Sequence, residues 1–463
     1  MSENYTIVIF GGTGDLTKRK LVPAFAQLAS REILGEHSQI IGIARGEYNN
    51  NSYKQMLIES VSDESEKKHI SEINVRYFRG DVDDPESLSG LHEFIEMNEP
   101  LGGNNRIFYL ATGFKIFPKI IREIKKRGLD NVEGKFTRIV FEKPFGSDLG
   151  SFTKIDSDIH DVFSEEQVYR IDHYLGKETV QNISLLKFTN PMFESVLNNE
   201  MVESIELIVD EDMGLDKRIL SYDEMGAIKD MVQNHMLQVL ALLLMEEPEE
   251  WSADAIHDKK VEILKNLEVM SPKNNLLGQY SSYVQELSKY GLKPSKTETF
   301  VKLSLNCNTP RWNGVQLFLR TGKKLERKYG QIKIKFKQAA ECVKASISGI
   351  KDNSIVIDIY PKQDVRIFMN SRIPGKINEV HPISFDFVHE SYFGPNTINE
   401  YTTLLEDVIL GDKTLFTRSD ELLESWRVIE QIEAIREKIP FVLYQDGGEP
   451  EKIVRESSIG LNP

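Results

Sequence analysis

The chain has 463 residues, 40% hydrophobic and 28% charged, with a formal net charge of −15; that size allows two or three domains, and the composition is ordinary for a soluble globular protein. The acidic balance argues against nucleic acid or an anionic membrane as partner, so any site for an anion must be locally basic. No stretch approaches the ~18 apolar residues of a membrane span, the Ile7 to Gly12 run is too short and lacks basic flanks for a signal peptide, and Cys307 and Cys342 stand far apart without metal-ligand spacing; a cytoplasmic protein with reduced cysteines and no metal is expected.

From the amino terminus, Thr6 to Phe10 is a β-branched and aromatic run. It is followed by Gly11-Gly12-Thr13-Gly14-Asp15-Leu16-Thr17 and then by Leu21, Pro23, Ala24, Phe25, Leu28 and Ala29 at helical spacing. This order of strand, glycine turn and helix is that of a dinucleotide site, where glycine N–H groups approach a pyrophosphate on the helix N-terminus. The spacing is G-G-x-G rather than G-x-G-x-x-G, and a bare connecting turn is the competing explanation. The next strand, Gln39 to Ala44, ends in Arg45 and not in an acid. An acid there holds the ribose hydroxyls of NAD, whereas an arginine accommodates a 2′-phosphate, so NADP is the expected cofactor.

Strands are expected at Val75 to Gly80, Arg106 to Ala111 and Thr137 to Glu142, and helices at Leu88 to Met97 and Ile116 to Arg127. That alternation predicts a doubly wound, Rossmann-like α/β domain over 1–170. Glu142-Lys143-Pro144-Phe145-Gly146 then places an ion pair on a proline-restrained turn at the carboxyl end of a strand, where open α/β sheets bind ligands. An ordinary loop ion pair is the alternative.

The run from Tyr169 to Asn182 packs Asp172, His173, Tyr174 and Lys177 between a short strand and a helix. Unpaired N–H groups at a helix start welcome an anion, and His173 and Lys177 add cationic donors, which points to a phosphate. Asp172 would repel a phosphate but suits a carboxylate that orients and stabilises a proton-accepting histidine. On its own, D-H-x-x-x-K spacing is better explained by a solvated ion-pair cluster.

Beyond about Lys187 the pattern changes. Ile228 to Met245 is a strongly apolar helix interrupted by Lys229, Asp230, Gln233, Asn234 and His235, groups that must be paired or face a cleft. Thr299 to Asn306, Gly314 to Arg320, Ile332 to Lys337 and Ser354 to Tyr360 read as strands without intervening helices, so 171–463 is expected to be an α+β domain with a large, mainly antiparallel sheet. Ser419 to Lys438 closes the chain with a long helix, and the tail after Tyr444 is expected to fray.

Four ordered motifs, I-F-G-G-T-G-D-L-T-K-R-K, E-K-P-F-G, R-I-D-H-Y-L-G-K-E and K-D-M-V-Q-N-H, resemble those of the glucose-6-phosphate dehydrogenase family. The resemblance implies an NADP-dependent enzyme that oxidises glucose 6-phosphate at C1 in the first step of the oxidative pentose phosphate pathway. It implies His235 as general base with Asp172 as its partner, and His173, Tyr174, Lys177, Lys323 and Lys328 around the sugar phosphate. Glu211 and Asp230 would hold sugar hydroxyls, and Lys143 would bridge substrate and cofactor across a cis Lys143-Pro144 bond. Gly11, Gly12, Thr13, Gly14, Asp15, Leu16, Lys20, Arg45 and Ala111 would line the cofactor site. A homodimer or homotetramer is implied as well.

The chain departs from the family pattern in places. Thr112-Gly113-Phe114 stands where a Pro-Pro pair is usual, Lys217 to Asp223 alters the loop after Glu211, Lys328 replaces an arginine, and Tyr360 stands where glutamine is common. Two rivals follow: an enzyme of the same fold for another hexose derivative, and a non-catalytic sensor of NADPH or sugar phosphate.

Overall fold

The structure is a computed structural model that describes residues 3–100, 103–394 and 399–452. The chain divides into two compact units. The first comprises the described residues of 1–176, 251–257 and 397–423, and the second those of 177–250, 258–396 and 424–463.

In the first unit, strands β1 (Tyr5–Phe10), β2 (Gln39–Ala44), β3 (Asn74–Arg79), β4 (Asn105–Leu110), β5 (Thr137–Phe141) and β6 (Val168–Arg170) form one sheet in the order β3-β2-β1-β4-β5-β6. Every pairing is parallel. β1 and β4 are buried along their whole length, as strands covered on both faces must be. The order reverses between β1 and β4, the switch point at whose carboxyl side such sheets open a ligand crevice.

Ile7 and Ile9 of β1 share a core with Val22, Phe25 and Leu28 of the helix Val22–Ser30. The same core takes Tyr401, Leu404, Leu405, Val408 and Ile409 from the helix Glu400–Leu410. Those five positions repeat at i, i+3, i+4, i+7 and i+8, the apolar stripe of a surface helix. Asn399 caps this helix by accepting the Tyr401 N–H, and Gly411 ends it in the left-handed conformation.

The second unit is built on a sheet of ten strands: β7 (Val202–Asp210), β8 (Leu267–Val269), β9 (Leu276–Tyr280), β10 (Phe300–Cys307), β11 (Gln316–Gly322), β12 (Tyr329–Phe336), β13 (Ser354–Tyr360), β14 (Val365–Arg372), β15 (Val380–Phe387) and β16 (Phe441–Tyr444). Its order is β15-β14-β13-β12-β7-β11-β10-β9-β16, with β8 on β10. The sheet is mainly antiparallel, but β7 with β11 and β9 with β16 run parallel. A mainly antiparallel sheet is what the helix-free runs of strands suggest, and the two parallel pairs bring together partners from distant parts of the chain.

The apolar segment carrying His235 is one continuous helical run of two kinds, a wide π turn over Ile228–Met236 and a regular helix over Leu237–Leu244. Both ends are held by buried side chains. At the amino end Glu298 accepts the Ile228 N–H at 3.1 Å. At the carboxyl end Trp312 donates its indole N–H to Leu244 O at 2.6 Å, and the Lys187 ammonium donates to Met245 O at 2.5 Å. Burial, with Arg311 close by, pulls the Lys187 pKa down to about 7.

The expected helix over Leu88 to Met97 is instead a short 3-10 turn, Pro85–Leu88, and a helix, Leu91–Asn98, parted by Ser89-Gly90. The tail is also less loose than expected. Asp446 pairs with Lys324, and Glu451 with Lys302 and Arg320, while residues 453–463 lie outside the described part. Both cysteines are free, Cys307 buried and Cys342 exposed, so only the first packs as a core residue.

Candidate active site

The glycine loop leaves β1 at the switch point. Gly11 has φ +90°, and a Cβ there would lie 2.5 Å from the carbonyl oxygen of Ala111, just past β4. A Cβ on Gly12 would lie 2.7 Å from Gly42 Cα, in the neighbouring strand β2. Both positions are closed to any side chain.

The amides act differently from expectation. Gly11 and Gly12 donate to Ile43 O of β2 and Gly14 to Gly11 O, so these glycines supply room and turn geometry while their N–H groups are used by the neighbouring strand and by the loop itself. Lys20, in the π turn Thr17–Leu21, pairs with Glu400 at 2.9 Å and lies 5.7 Å from the Tyr401 ring. Arg45 is exposed just beyond β2, where it and Lys119 hold the Asp83 carboxyl below its ordinary range, Lys119 most strongly. A loop at the switch point whose glycines leave the backbone bare, and an exposed arginine beyond the second strand, fit a dinucleotide carrying a 2′-phosphate.

At β5 the chain passes through Glu142 and a cis Lys143-Pro144 bond. Glu142 is buried and accepts the Tyr109 hydroxyl at 2.5 Å. Burial lifts its pKa to about 7, against the pull of the Tyr109 and Tyr401 hydroxyls and of Lys143, with Asp172 adding to the rise. Tyr109 and Tyr401 have no reactive signature in sequence; only the shared core of β4 and the helix Glu400–Leu410 brings them to Glu142.

β6 delivers the next group. Arg170 is fully buried and ion-pairs with Asp156 and Glu165 at 2.7 Å each, so the arginine of the R-I-D-H-Y motif anchors the strand. The Arg170 carbonyl accepts the Thr417 N–H, and Ile171 bridges to Phe416. Directly after this anchor, Asp172 is buried and accepts the Tyr174 N–H at 3.0 Å, which folds the chain into a tight turn. His173 is half-buried with its ring 5.1 Å from that of Tyr174. Lys177 stands at the N-cap of the helix Glu178–Phe188, where an anion would meet the open N–H groups.

Within the second unit, three predicted residues come together. Gly322 of β11 stands opposite Asp210 of β7 in a parallel pair, so Lys323 and Glu211, the next residues, leave adjacent strands at the same end. Lys323, 2% exposed, pairs with Glu211 and lies 3.3 Å from Asp230, itself 2% exposed. Arg218 reaches Asp230 at 3.4 Å, and the Tyr222 ring lies 5.8 Å from the Lys323 ammonium. Arg218 and Tyr222 sit in the altered Lys217 to Asp223 loop, whose basic and aromatic content was the available signal.

A second pair converges on Tyr360, whose ring lies 5.7 Å from the Lys177 ammonium and 5.9 Å from that of Lys328. An aromatic face attracts both cations where a glutamine would offer only hydrogen bonds. His235 is 1% exposed on the π turn. Asn234 shapes that turn, because its side chain accepts the His235 N–H at 2.7 Å and donates to Lys229 O at 3.1 Å, so it enters the backbone ladder and widens it. Asp172, His173, Tyr174 and Lys143 belong to the first unit, and His235 to the second.

Two family models match the chain, "Glucose-6-phosphate dehydrogenase, NAD binding domain" over residues 8–182 and "Glucose-6-phosphate dehydrogenase, C-terminal domain" over 184–456. A glucose-6-phosphate 1-dehydrogenase of Borreliella burgdorferi is 37% identical over 444 residues, covering 93% of this chain and 91% of the relative. One of Bacillus subtilis is 34% identical over 445 residues, covering 92% and 90%. A solved structure, described as glucose-6-phosphate dehydrogenase in complex with its substrate glucose-6-phosphate, superposes with a TM-score of 0.89 at 30% identity and covers 100% of this chain and 98% of its own.

Proposed function

Because the chain belongs to the glucose-6-phosphate dehydrogenase family, we propose that it oxidises D-glucose 6-phosphate at C1 to 6-phospho-D-glucono-1,5-lactone with NADP, the first step of the oxidative pentose phosphate pathway. The observation that carries this reading is the convergence of Glu211 and Asp230 on the buried Lys323 ammonium. Two carboxylates and one cation offer acceptors for sugar hydroxyls and a donor for phosphate in one cluster.

In this mechanism the substrate phosphate is held by His173, Tyr174, Lys177, Lys323 and Lys328, and the hydroxyls by Glu211 and Asp230. Fixing the sugar supplies much of the rate, since a held reactant needs no further ordering at the moment of reaction. His235 takes the proton of the C1 hydroxyl, and Asp172 is its partner, stabilising the imidazolium. Bound NADP supplies the acceptor for the hydride that leaves C1. Gly11, Gly12, Thr13, Gly14, Asp15, Leu16, Lys20, Arg45 and Ala111 would hold the cofactor, and Lys143 would serve both cofactor and sugar. We assign cofactor binding to residues 1–170 and substrate binding and assembly to 171–463, in a cytoplasmic homodimer or homotetramer. Among the described residues no helix is long and apolar enough to cross a membrane.

A steady-state assay with glucose 6-phosphate and NADP or NAD side by side tests the reading. Arg45 predicts a clear preference for NADP, and equal use of both would remove its role. His235→Asn is expected to cut kcat by about 10²–10⁴ with a smaller change in affinity; an unchanged kcat would remove the assignment of the base. The Tyr360 ring beside Lys177 and Lys328 favours a second reading, a neighbouring hexose derivative as substrate. Turnover of such a derivative without turnover of glucose 6-phosphate would establish it.

A further inference from the structure

β11 ends at Gly322, and the two residues after it do unequal work. Lys323 joins the carboxylate cluster, while Lys324 sits at φ +48°, a left-handed conformation that is strained for a residue with a Cβ. Such a residue persists only where its surroundings leave it no alternative.

The Lys324 N–H donates to Met213 O at 3.1 Å, its ammonium to Glu286 at 2.6 Å, and the Leu325 N–H to Glu211 O at 2.9 Å; the carboxyl-terminal segment supplies the rest of those surroundings. Tyr444, at the end of β16, donates its hydroxyl to Lys323 O at 2.7 Å, and the N–H of Lys323 donates to Thr299 O at 2.8 Å. Gly447 N–H donates to Lys324 O at 2.8 Å, and Asp446 receives the Lys324 ammonium at 2.9 Å. Leu325 and Gly448 form a parallel bridge. Glu451 accepts from Arg320 at 2.8 Å and from Lys302 at 2.5 Å, while Arg320 also bonds Asp210, the residue before Glu211, at 2.8 Å. The segment thus meets the chain at Arg320, Lys323, Lys324 and Leu325. The last link of its charge chain is the strand end that presents Glu211.

From this arrangement we infer that residues 444–451 form a positioning strap. It holds Lys324 in its left-handed state and so aims the Lys323 ammonium at Glu211 and Asp230. The inference rests on the proposed glucose 6-phosphate reading for its functional consequence, but the strap itself is a physical claim that needs no turnover to test. Tyr444, Asp446 and Glu451 are positioning residues, since each acts through the backbone or charge of another group.

The test is the triple variant Tyr444→Phe, Asp446→Asn, Glu451→Gln in the full chain, with Tyr444→Phe alone as an isosteric control that keeps the ring in its core. Two readouts are taken, amide hydrogen exchange and steady-state kinetics. The strap predicts exchange at Lys323 and Leu325 at least about tenfold faster, with the amides of β12 unchanged. It also predicts a KM for glucose 6-phosphate about five- to tenfold higher, with kcat and the KM for NADP within about twofold. Tyr444→Phe shifts both readouts in the same direction by a smaller factor. A merely structural role would instead speed exchange across the whole sheet and lower kcat in proportion to the folded fraction. Unchanged exchange, or faster exchange with an unchanged KM, would overturn the inference. Faster local exchange in a protein whose wild type never turns over glucose 6-phosphate would support the strap and overturn the substrate reading.

Discussion

Replacing Glu298 by Ala tests how the helix carrying Asp230 and His235 is held. The carboxylate is 0% exposed, with one oxygen on the Ile228 N–H and the other paired with Arg436. Gly226, at φ +69°, passes so close that a Cβ there would lie 2.2 Å from the carboxylate oxygen. Orphaning the buried N–H costs about 1–3 kcal/mol. Stranding a buried charge costs about 3–5 kcal/mol, but the Arg436 side chain is 27% exposed and keeps Glu433 at 3.1 Å, so its share falls at or below that lower bound. The expected loss for Glu298→Ala is about 4 kcal/mol, and for Glu298→Gln, which keeps an acceptor for the amide, about half as much. Urea unfolding followed by the fluorescence of Trp312 and Trp426, both buried in the second unit, measures it. A loss below about 1 kcal/mol for Glu298→Ala, or equal losses for Ala and Gln, would refute the capping argument.

Further outcomes follow from the first unit. Glu142 is lifted from the ordinary 4.5 to about 7, so its contribution to stability is full below pH 4.5 and is lost as the pH rises through about 7. The difference in unfolding free energy between wild type and Glu142→Gln should therefore change by up to about 3 kcal/mol between pH 4.5 and 8; a difference that does not vary with pH would exclude the assignment. Gly12→Ala would place a methyl group 2.7 Å from the Gly42 backbone and is expected to weaken NADP binding at least about tenfold, read by calorimetric titration; full affinity would mean that the loop yields freely.

What sequence reveals here follows the range of the interaction. β2 and β13 match their predicted limits residue for residue, because β-branched runs between turn residues carry their own signal. The glycine loop and the parallel sheet were legible for the same reason, as was the apolar helix around His235. β14 and β15 were not, since their mixed, half-exposed patterns alternate poorly. The parallel pairing of β7 with β11 has no local signature, and it is this register that sets Glu211 beside Lys323. Motif resemblance named those two residues and Asp230 without explaining why they meet. Glu298, Trp312 and Lys187 carry no motif; their work depends on helix ends distant in sequence. The π turn was equally hidden, since Asn234 acts by entering a backbone ladder that periodicity treats as uniform.

The helix Glu400–Leu410 has a consequence for how the protein is made. It completes the core of the parallel sheet, yet some 230 residues separate it from the end of β6. At about 5–20 residues per second, synthesis leaves that core without Leu404, Leu405 and Val408 for tens of seconds after the last strand has left the ribosome. During that interval the nascent unit presents the seat of a missing helix as sticky apolar surface, which makes the first half of the chain a natural client for a chaperone.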